Sequence, residues 1–311
     1  MNRRSRCYLT ALSLTLAACA LPVLSNGISI AGRPLAAQLA VMLLLAALLG
    51  VYTRLARAPR LRLALEASLF GIVISTAFNF PMYLLARHGG GFADGALRRA
   101  DAALGIDVPA LARWVSLHPR VEHTQALIYG SLHLVSGAAL LIPALAGRSR
   151  WVSELLVALA VSVLASLLIL TCVRAIGPWD GGAFGASVEQ QSCAGVLRAL
   201  QAGTALTIDL SRPAPLIAFP SWHVILALLS AHALGRFEYL RVPAIVWATA
   251  IALSTLTSGW HYGVDVLGGV AVAASSIFVS KALHGFWART DAAQGAFRMT
   301  LEPTFANGVE K

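Results

Sequence analysis

Long apolar runs separated by short polar segments occupy most of the chain, a pattern typical of helices that cross a membrane. A helix needs about 20 mostly apolar residues to span the hydrocarbon core. By this criterion the pattern predicts eight spans, of which the sixth is short. They lie at about 8–25, 35–52, 63–85, 125–145, 152–173, 221–234, 242–258 and 262–283. We therefore expect an all-α integral membrane protein.

The composition excludes several other classes of protein. Of the 311 residues, 58% are hydrophobic and only 12% are charged, whereas soluble domains average about 25% charged residues. The net charge is +10, but the arginines are scattered and form no basic stripe of the kind that binds nucleic acid. The four cysteines have neither the spacing of a metal site nor that of a disulfide framework.

The positions of the basic residues predict the orientation in the membrane. If the N-terminus is cytoplasmic, 15 of the 24 Lys and Arg residues fall in inner segments and the other nine in outer ones. The inner loops are short, and short loops are where positive charge determines orientation. We expect both termini inside and the two long segments, 86–124 and 174–220, outside. Helical periodicity over 93–117 predicts a helix along the membrane surface.

The N-terminal segment has two interpretations. Three arginines precede an apolar run that ends Leu-Ala-Ala-Cys at position 19, which resembles a bacterial lipoprotein signal whose cleavage would leave Cys19 first in the mature chain. An ordinary first helix is preferred, because the apolar run continues through Leu24 and signals are easily confused with spans. The predicted organisation is two N-terminal helices in 1–62, a six-helix catalytic domain in 63–285 and a cytoplasmic tail in 286–311.

Two histidines stand at corresponding ends of predicted spans. His223 opens the sixth span and His261 opens the eighth, 38 residues later. At 1.5 Å per residue this corresponds to about 57 Å of helix, or two crossings of a core of about 30 Å. The chain therefore crosses and returns, and we expect both histidines at the outer face.

The neighbours of these histidines indicate phosphoryl transfer. Asp265 follows His261 by four residues, so on a helix it shares one face with the imidazole and holds one tautomer. Ser221, beside a helix N-terminus that begins near Pro220, offers a hydroxyl and free amides to an anion. Taken alone, His261 and Asp265 indicate a buried polar pair that stabilises helix packing. Because His223 is expected at the same face, we prefer a catalytic role for the pair.

One face of the fourth span carries polar residues at spacings of four, four and three. Interhelical hydrogen bonding is the preferred role, with headgroup recognition as the alternative. The residues are Gln125, Tyr129, His133 and Ser136.

The segments around the histidines resemble the type 2 phosphatidic acid phosphatase superfamily. Pro220-Ser221-x-His223 is similar to its second signature, and Ser254 followed by His261-x-x-x-Asp265-x-x-x-Gly269 is similar to its third. The resemblance extends from about residue 63 to the end of the eighth span. It implies a six-helix catalytic bundle.

The resemblance also implies a role for each matching residue. His261 would attack phosphorus and Asp265 would orient it. His223 would protonate the leaving group and then activate the acceptor. Ser221 would bind phosphate, and Ser254 is a further candidate for substrate binding.

Two departures from the family pattern concern phosphate-binding cations. The first signature, with a lysine and an Arg-Pro pair, is replaced by Arg174-Ala-Ile-Gly-Pro178, and the arginine of the third signature is Thr255. Arg174 and Arg198 are the candidates for replacement phosphate contacts. A monoester dianion needs more positive charge than a diester monoanion, so simple phosphomonoesterase activity is disfavoured.

Further motifs resemble the inositol phosphorylceramide synthases and their bacterial relatives, a branch that has such departures. They are Ala102-x-x-Gly105-Ile106-Asp107, Trp114, His118-Pro119, Tyr129-Gly-Ser131 and Leu216-Ile217-Ala218-Phe219. This resemblance implies transfer of a phospho-alcohol headgroup from a lipid donor to a lipid or polar alcohol acceptor. The alternatives are a phosphatase acting on phosphatidic acid or polyprenyl pyrophosphate, and a non-catalytic lipid transporter or scaffold.

We expect no metal, no cofactor and no nucleic-acid partner. We also expect the protein to lie in the bacterial inner membrane, with its site on the periplasmic face.

Overall fold

The computed structural model describes residues 3–19, 23–24, 27–55, 58–88, 90–180 and 184–301. Apolar helices form most of this structure, and two three-residue strands pair in parallel. The helices are α1 (Arg3–Ala18), α2 (Gly32–Leu55), α3 (Pro59–His88), α4 (Asp94–Ala103), α5 (Val108–Ser116), α6 (Pro119–Gly130), α7 (Leu132–Leu145), α8 (Ser149–Cys172), α9 (Val188–Gln201), α10 (Trp222–Leu234), α11 (Glu238–Thr257) and α12 (Gly263–Leu301); the strands are β1 (Ile28–Ile30) and β2 (Leu206–Ile208).

Each of the eight predicted spans overlaps a helix in the described residues; residues 20–22 and 25 of the first span lie outside them. Within the described ranges, six helical stretches are long and apolar enough to cross a membrane: Gly32–Arg54, Pro59–His88, Pro119–Leu145, Ser149–Cys172, Glu238–Thr257 and Gly263–Ala293. The other two predicted spans correspond to α1, with 16 residues, and α10, with 13. The chain is therefore an all-α integral membrane protein.

Two predicted boundaries differ from the structure. The fourth span is interrupted at Ser131, where α6 ends and α7 begins. There the Ser131 hydroxyl donates to the carbonyl of Ile128 and accepts from the Trp247 indole. The eighth predicted span, 262–283, lies almost entirely within α12, which continues as a helix to Leu301.

The centre of the bundle consists of α3, α8 and α10. In the most apolar part of α3, 56% of the residues are buried inside the protein, whereas none are buried in the corresponding part of α2. Helix α2 packs against α3 at the periphery of the bundle. Leu156, Leu170 and Ile225 are among the largest fully buried side chains. Because an apolar helix face exposed to lipid costs nothing, α2 keeps its all-round apolar sequence without a protein partner.

Ion pairs hold the bundle together at the end remote from His223 and His261. The buried carboxylate of Glu154 on α8 pairs with Arg150, at 2.8 Å, and with Arg236 beyond the end of α10. The carboxylate of Glu66 on α3 lies 3.5 Å from Arg6 on α1. Because an unpaired charge at membrane depth is costly, these pairs favour one arrangement of the helices.

The two long segments between spans contain more regular structure than their sequences predict. The helix expected over 93–117 is two helices, because Gly105 has φ +70° and Asp107 caps α5 by accepting from the amide of Ala110. The second segment contains α9, which begins with a capping box between Ser187 and Gln190. That motif is visible in the sequence. The three-residue strands are too short to give a period-two signal.

Candidate active site

The two predicted histidines meet at one end of the bundle. His223 lies in the first turn of α10, and His261 lies in the turn between α11 and α12. Their ring centroids are 5.6 Å apart, with the rings at 65° to each other. Both line a cavity of about 70 Å³, which we call the histidine cavity. The predicted convergence of the two histidines is confirmed.

The turn that carries His261 depends on a glycine. Gly259 follows the end of α11 and has φ +72°, a left-handed conformation that glycine adopts without a steric penalty. The amide of His261 then donates to the carbonyl of Thr255 at 3.3 Å. These two features reverse the chain and place the imidazole against the segment before α10.

The neighbours of His261 determine its tautomer. Its Nδ1 lies 2.9 Å from the carbonyl oxygen of Ala218 and 3.4 Å from Oδ2 of Asp265. Both neighbouring atoms are acceptors, so Nδ1 carries the proton and donates. Nε2 is then the unprotonated nitrogen with a lone pair. The sequence predicted Asp265 as the partner of one imidazole nitrogen, whereas the Ala218 carbonyl is the closer acceptor to Nδ1.

Asp265 connects the starts of α10 and α12. Its side chain is fully buried, and Oδ2 accepts from the amide of Tyr262 at 2.9 Å. Its backbone carbonyl accepts from the amide of Ser221 at 3.0 Å. A Cβ at Gly269 would lie 2.8 Å from the carbonyl oxygen of Ser221. The two helices therefore approach closely because residue 269 has no side chain.

Ser221 differs from its predicted role in one respect. The helix end was expected to offer free amides, but the amide of Ser221 already donates to Asp265. The Ser221 hydroxyl is buried and has no hydrogen-bond partner among the described residues. It remains available to a ligand, although Ser221 does not itself line the histidine cavity.

The structure does not bring the other predicted binding residues to the histidine cavity. Arg174 is buried, and its Nη1 donates to the carbonyl of Ala86 at 2.7 Å; this burial lowers the pKa of its guanidinium. Arg198 pairs with Asp180 at 2.5 Å on the surface. The hydroxyl of Ser254 donates within its own helix to the carbonyl of Ile251. No Lys or Arg is among the described residues that line the cavity.

Tyr129 packs directly on His223. The two rings stack with centroids 4.5 Å apart, and the phenol oxygen lies 3.4 Å from Nδ1 of His223. On the same predicted polar face, Gln125 accepts from Thr257 and Ser136 accepts from Ser230. The predicted interhelical hydrogen bonds are therefore present, and Tyr129 makes an additional contact with a candidate catalytic residue.

Two aspartates of α4 support the site, and the sequence analysis missed both. Asp101 accepts from the amides of Gly263 and Val264 at 2.8 and 2.9 Å and so caps α12. Asp94 accepts from the amides of Ile176 and Gly177 and from the hydroxyl of Tyr262. Burial, with the nearby charge of Asp94, raises the pKa of Tyr262 and keeps it a donor. These contacts join residues more than 80 positions apart, so no local pattern reveals them.

Removing the Asp101 carboxylate is expected to destabilise the turn that carries His261. Asp101→Ala leaves the amides of Gly263 and Val264 without this acceptor, and we expect a loss of about 2 kcal/mol in the free energy of unfolding. Thermal unfolding of the detergent-solubilised protein measures this loss. Asp107→Ala, which removes the exposed cap of α5, is the matched control and should cost less. Equal losses in the two variants would contradict the role assigned to Asp101.

The comparisons with known proteins agree with this geometry. The family model of the PAP2 superfamily matches residues 95–279. No curated protein and no solved structure gave a match. The matched region is more than half of the chain and includes His223, His261 and Asp265, which the structure brings together. The chain therefore belongs to the PAP2 superfamily.

Proposed function

We propose that this membrane protein transfers a phospho-alcohol headgroup from one lipid to another alcohol, as inositol phosphorylceramide synthases do, through a phosphohistidine at His261. One observation carries the proposal: the ring of His261, with its Nδ1 proton held by Ala218, lies 5.6 Å from the ring of His223. Membership of the PAP2 superfamily supports phosphatase or phosphotransferase chemistry on lipid phosphates. The arginine distribution supports a site at the periplasmic face.

The reaction proceeds in two steps. Nε2 of His261 attacks phosphorus while His223 donates a proton to the departing alkoxide. The acceptor alcohol then attacks the phosphohistidine and gives its proton to His223, which restores both imidazoles. Asp265, 3.4 Å from Nδ1, stabilises the positive charge that His261 gains in the first step. Neither step requires a redox change.

The charge of the histidine cavity supports a diester substrate. The described residues that line it are mostly apolar, apart from the two histidines, and none is a Lys or an Arg. A phosphodiester carries one negative charge, which a protonated imidazole compensates more readily than the two charges of a monoester. We therefore favour headgroup transfer over hydrolysis of a lipid monophosphate.

A second cavity supports a lipid substrate. It has a volume of about 440 Å³, lies between α2, α3, α7, α8 and α10, and is here called the chain chamber. This volume is within the range of ligand pockets. Its lining is mainly apolar, and Phe78 and Trp222 line both the chain chamber and the histidine cavity. A lipid chain in the chamber would therefore leave its phosphate near the histidines.

Filling the chain chamber is expected to impair long-chain substrates selectively. A Cβ at Gly137 would meet no atom within 4 Å, and Gly137 lines the chamber. Gly137→Leu should therefore lower kcat/KM for a long-chain donor about tenfold, with a smaller effect on a donor that has four-carbon chains. Gly50→Leu on α2, also without a neighbour within 4 Å but outside the chamber, is the control. An equal loss for both chain lengths would refute the assignment.

The decisive experiment supplies purified protein with a phosphodiester lipid, with and without a lipid alcohol. A transferase forms a new phosphodiester only when the alcohol is present. Release of inorganic phosphate from phosphatidic acid, without such transfer, would assign the protein to the hydrolases instead. If no lipid yields product or an acid-labile phosphoprotein, the chain is a non-catalytic member of its family.

A further inference from the structure

A third cavity lies next to the histidines and shares no described lining residue with the chain chamber. It has a volume of about 740 Å³ and is bounded by α5, α6, α9 and the turn after α11. Its lining includes two exposed glutamates, Glu122 and Glu189, and we call it the carboxylate cavity. Gln125, Ser116 and Ser258 add further hydrogen-bonding groups to its wall.

The carboxylate cavity adjoins the reacting groups directly. Trp260 lines both this cavity and the histidine cavity. Tyr129 lines it as well and stacks on His223. A phosphate between the two histidines would therefore lie next to both the chain chamber and the carboxylate cavity, which offer its two ester substituents chemically different surroundings.

The described lining of the carboxylate cavity carries negative and no positive side-chain charge. In the ranges that the structure describes, no Lys or Arg is among the lining residues. The backbone amide of Glu189 and the hydroxyl of Ser187 donate to the Glu189 carboxylate and lower its pKa, so this group is ionised at neutral pH. Carboxylates only accept hydrogen bonds. A suitable occupant therefore offers several O–H or N–H donors and carries no negative charge.

We propose that the carboxylate cavity binds the alcohol part of the donor's headgroup, an uncharged polyol or a cationic amino alcohol, and retains it through both steps of transfer. This inference rests on the proposed function. In the first step the His261 N–P bond forms and the P–O bond to the first lipid alcohol breaks, with the proton coming from His223. In the second step the new lipid alcohol forms a P–O bond, the N–P bond breaks and the proton returns to His223. The bond between phosphorus and the oxygen of the headgroup alcohol stays intact in both steps.

Binding to an inactive protein tests the inference without relying on turnover. Full-length His261→Asn protein is incubated with phosphodiester lipids of identical chains whose headgroups are glycerol, ethanolamine or serine, and with phosphatidic acid. Native mass spectrometry measures the bound fractions. We expect the glycerol or ethanolamine lipid to bind more tightly than the serine lipid, which carries an additional carboxylate, and than phosphatidic acid. Comparison of the bound fractions of the glycerol and ethanolamine lipids shows whether the cavity prefers a polyol or an amino alcohol.

Two variants link this preference to the carboxylate cavity. Glu122→Gln and Glu189→Gln should each weaken binding of the preferred headgroup about tenfold, the effect of one charge-assisted hydrogen bond, and should reduce discrimination against serine. Glu238→Gln, at the opposite end of α11, is the matched control and should bind as the parent does.

The outcomes separate this inference from the proposed function. Equal binding of all headgroups, or a preference that both glutamine variants retain, would overturn the inference. A headgroup preference that depends on the two glutamates, in a protein whose active form transfers nothing, would support the cavity assignment and contradict only the transfer activity.

Discussion

Replacing His261 with asparagine is expected to lower the rate of lipid turnover by about four orders of magnitude or more, because the attacking nitrogen is lost. Asparagine is the substitution that best separates loss of the nucleophile from loss of structure at this position. Its side-chain amide retains a donor that reaches toward the carbonyl of Ala218, which accepts from Nδ1 at 2.9 Å in the parent protein, but it has no nucleophile in place of Nε2. The fold should therefore persist while the chemistry stops.

The phosphoenzyme provides the direct measurement for this variant. Protein incubated with a lipid labelled at phosphorus should carry an acid-labile label that peptide mapping assigns to His261, and His261→Asn should carry none. His88→Asn, at an exposed position at the end of α3, is the control and should be labelled as the parent is. Undiminished labelling of His261→Asn would show that another residue is the nucleophile.

Replacing His223 with alanine is expected to lower turnover of a natural lipid by about 10²-fold to 10⁴-fold, because the departing alkoxide no longer receives a proton. The variant also separates the two steps. A nitrophenyl ester needs no protonation to depart, so His223→Ala should still form the phosphohistidine from an alkyl nitrophenyl phosphodiester. The second step should remain slow, because no base removes the proton of the acceptor.

Rapid-mixing kinetics reveal this behaviour as a burst of nitrophenol followed by a slow steady state. Tyr129→Phe is the matched control, since it retains the ring that stacks on His223 and removes only the hydroxyl. We expect its turnover to stay within about tenfold of the parent. If His223→Ala gives no burst with the activated ester, the residue is needed to build the cavity rather than to move a proton.

The site shows where sequence reasoning succeeds. The interval between His223 and His261 matches an outward and a return crossing, so helix geometry places both at one face of the membrane, where the structure brings their rings together. The predicted contact between His261 and Asp265 is present, with 3.4 Å between Nδ1 and Oδ2, although His261 lies in the turn before α12 and not on the helix that carries Asp265. The prediction of a common face uses distances along helices, and apolar composition at membrane depth permits few other structures.

Other parts of the site depend on contacts that the sequence does not reveal. Asp101 caps a helix that begins 162 residues later, and its local sequence is that of an ordinary amphipathic helix. Arg174 and Arg198 both stand in the sequence as single cations in a loop segment. In the structure Arg174 is buried and donates to the carbonyl of Ala86, whereas Arg198 pairs with Asp180. The difference arises from packing around each side chain.

The sequence alone determined which segments enter the membrane, which two histidines meet and which family pattern they follow, because hydrophobic length and helical rise act locally along the chain. Only the tertiary structure decided that Ala218 holds Nδ1 of His261 more closely than Asp265, that no described cation lines the histidine cavity, and that two chemically different cavities flank it. These features depend on which backbone carbonyls, side chains and empty spaces come together from distant helices. That outcome is a property of the packed bundle as a whole.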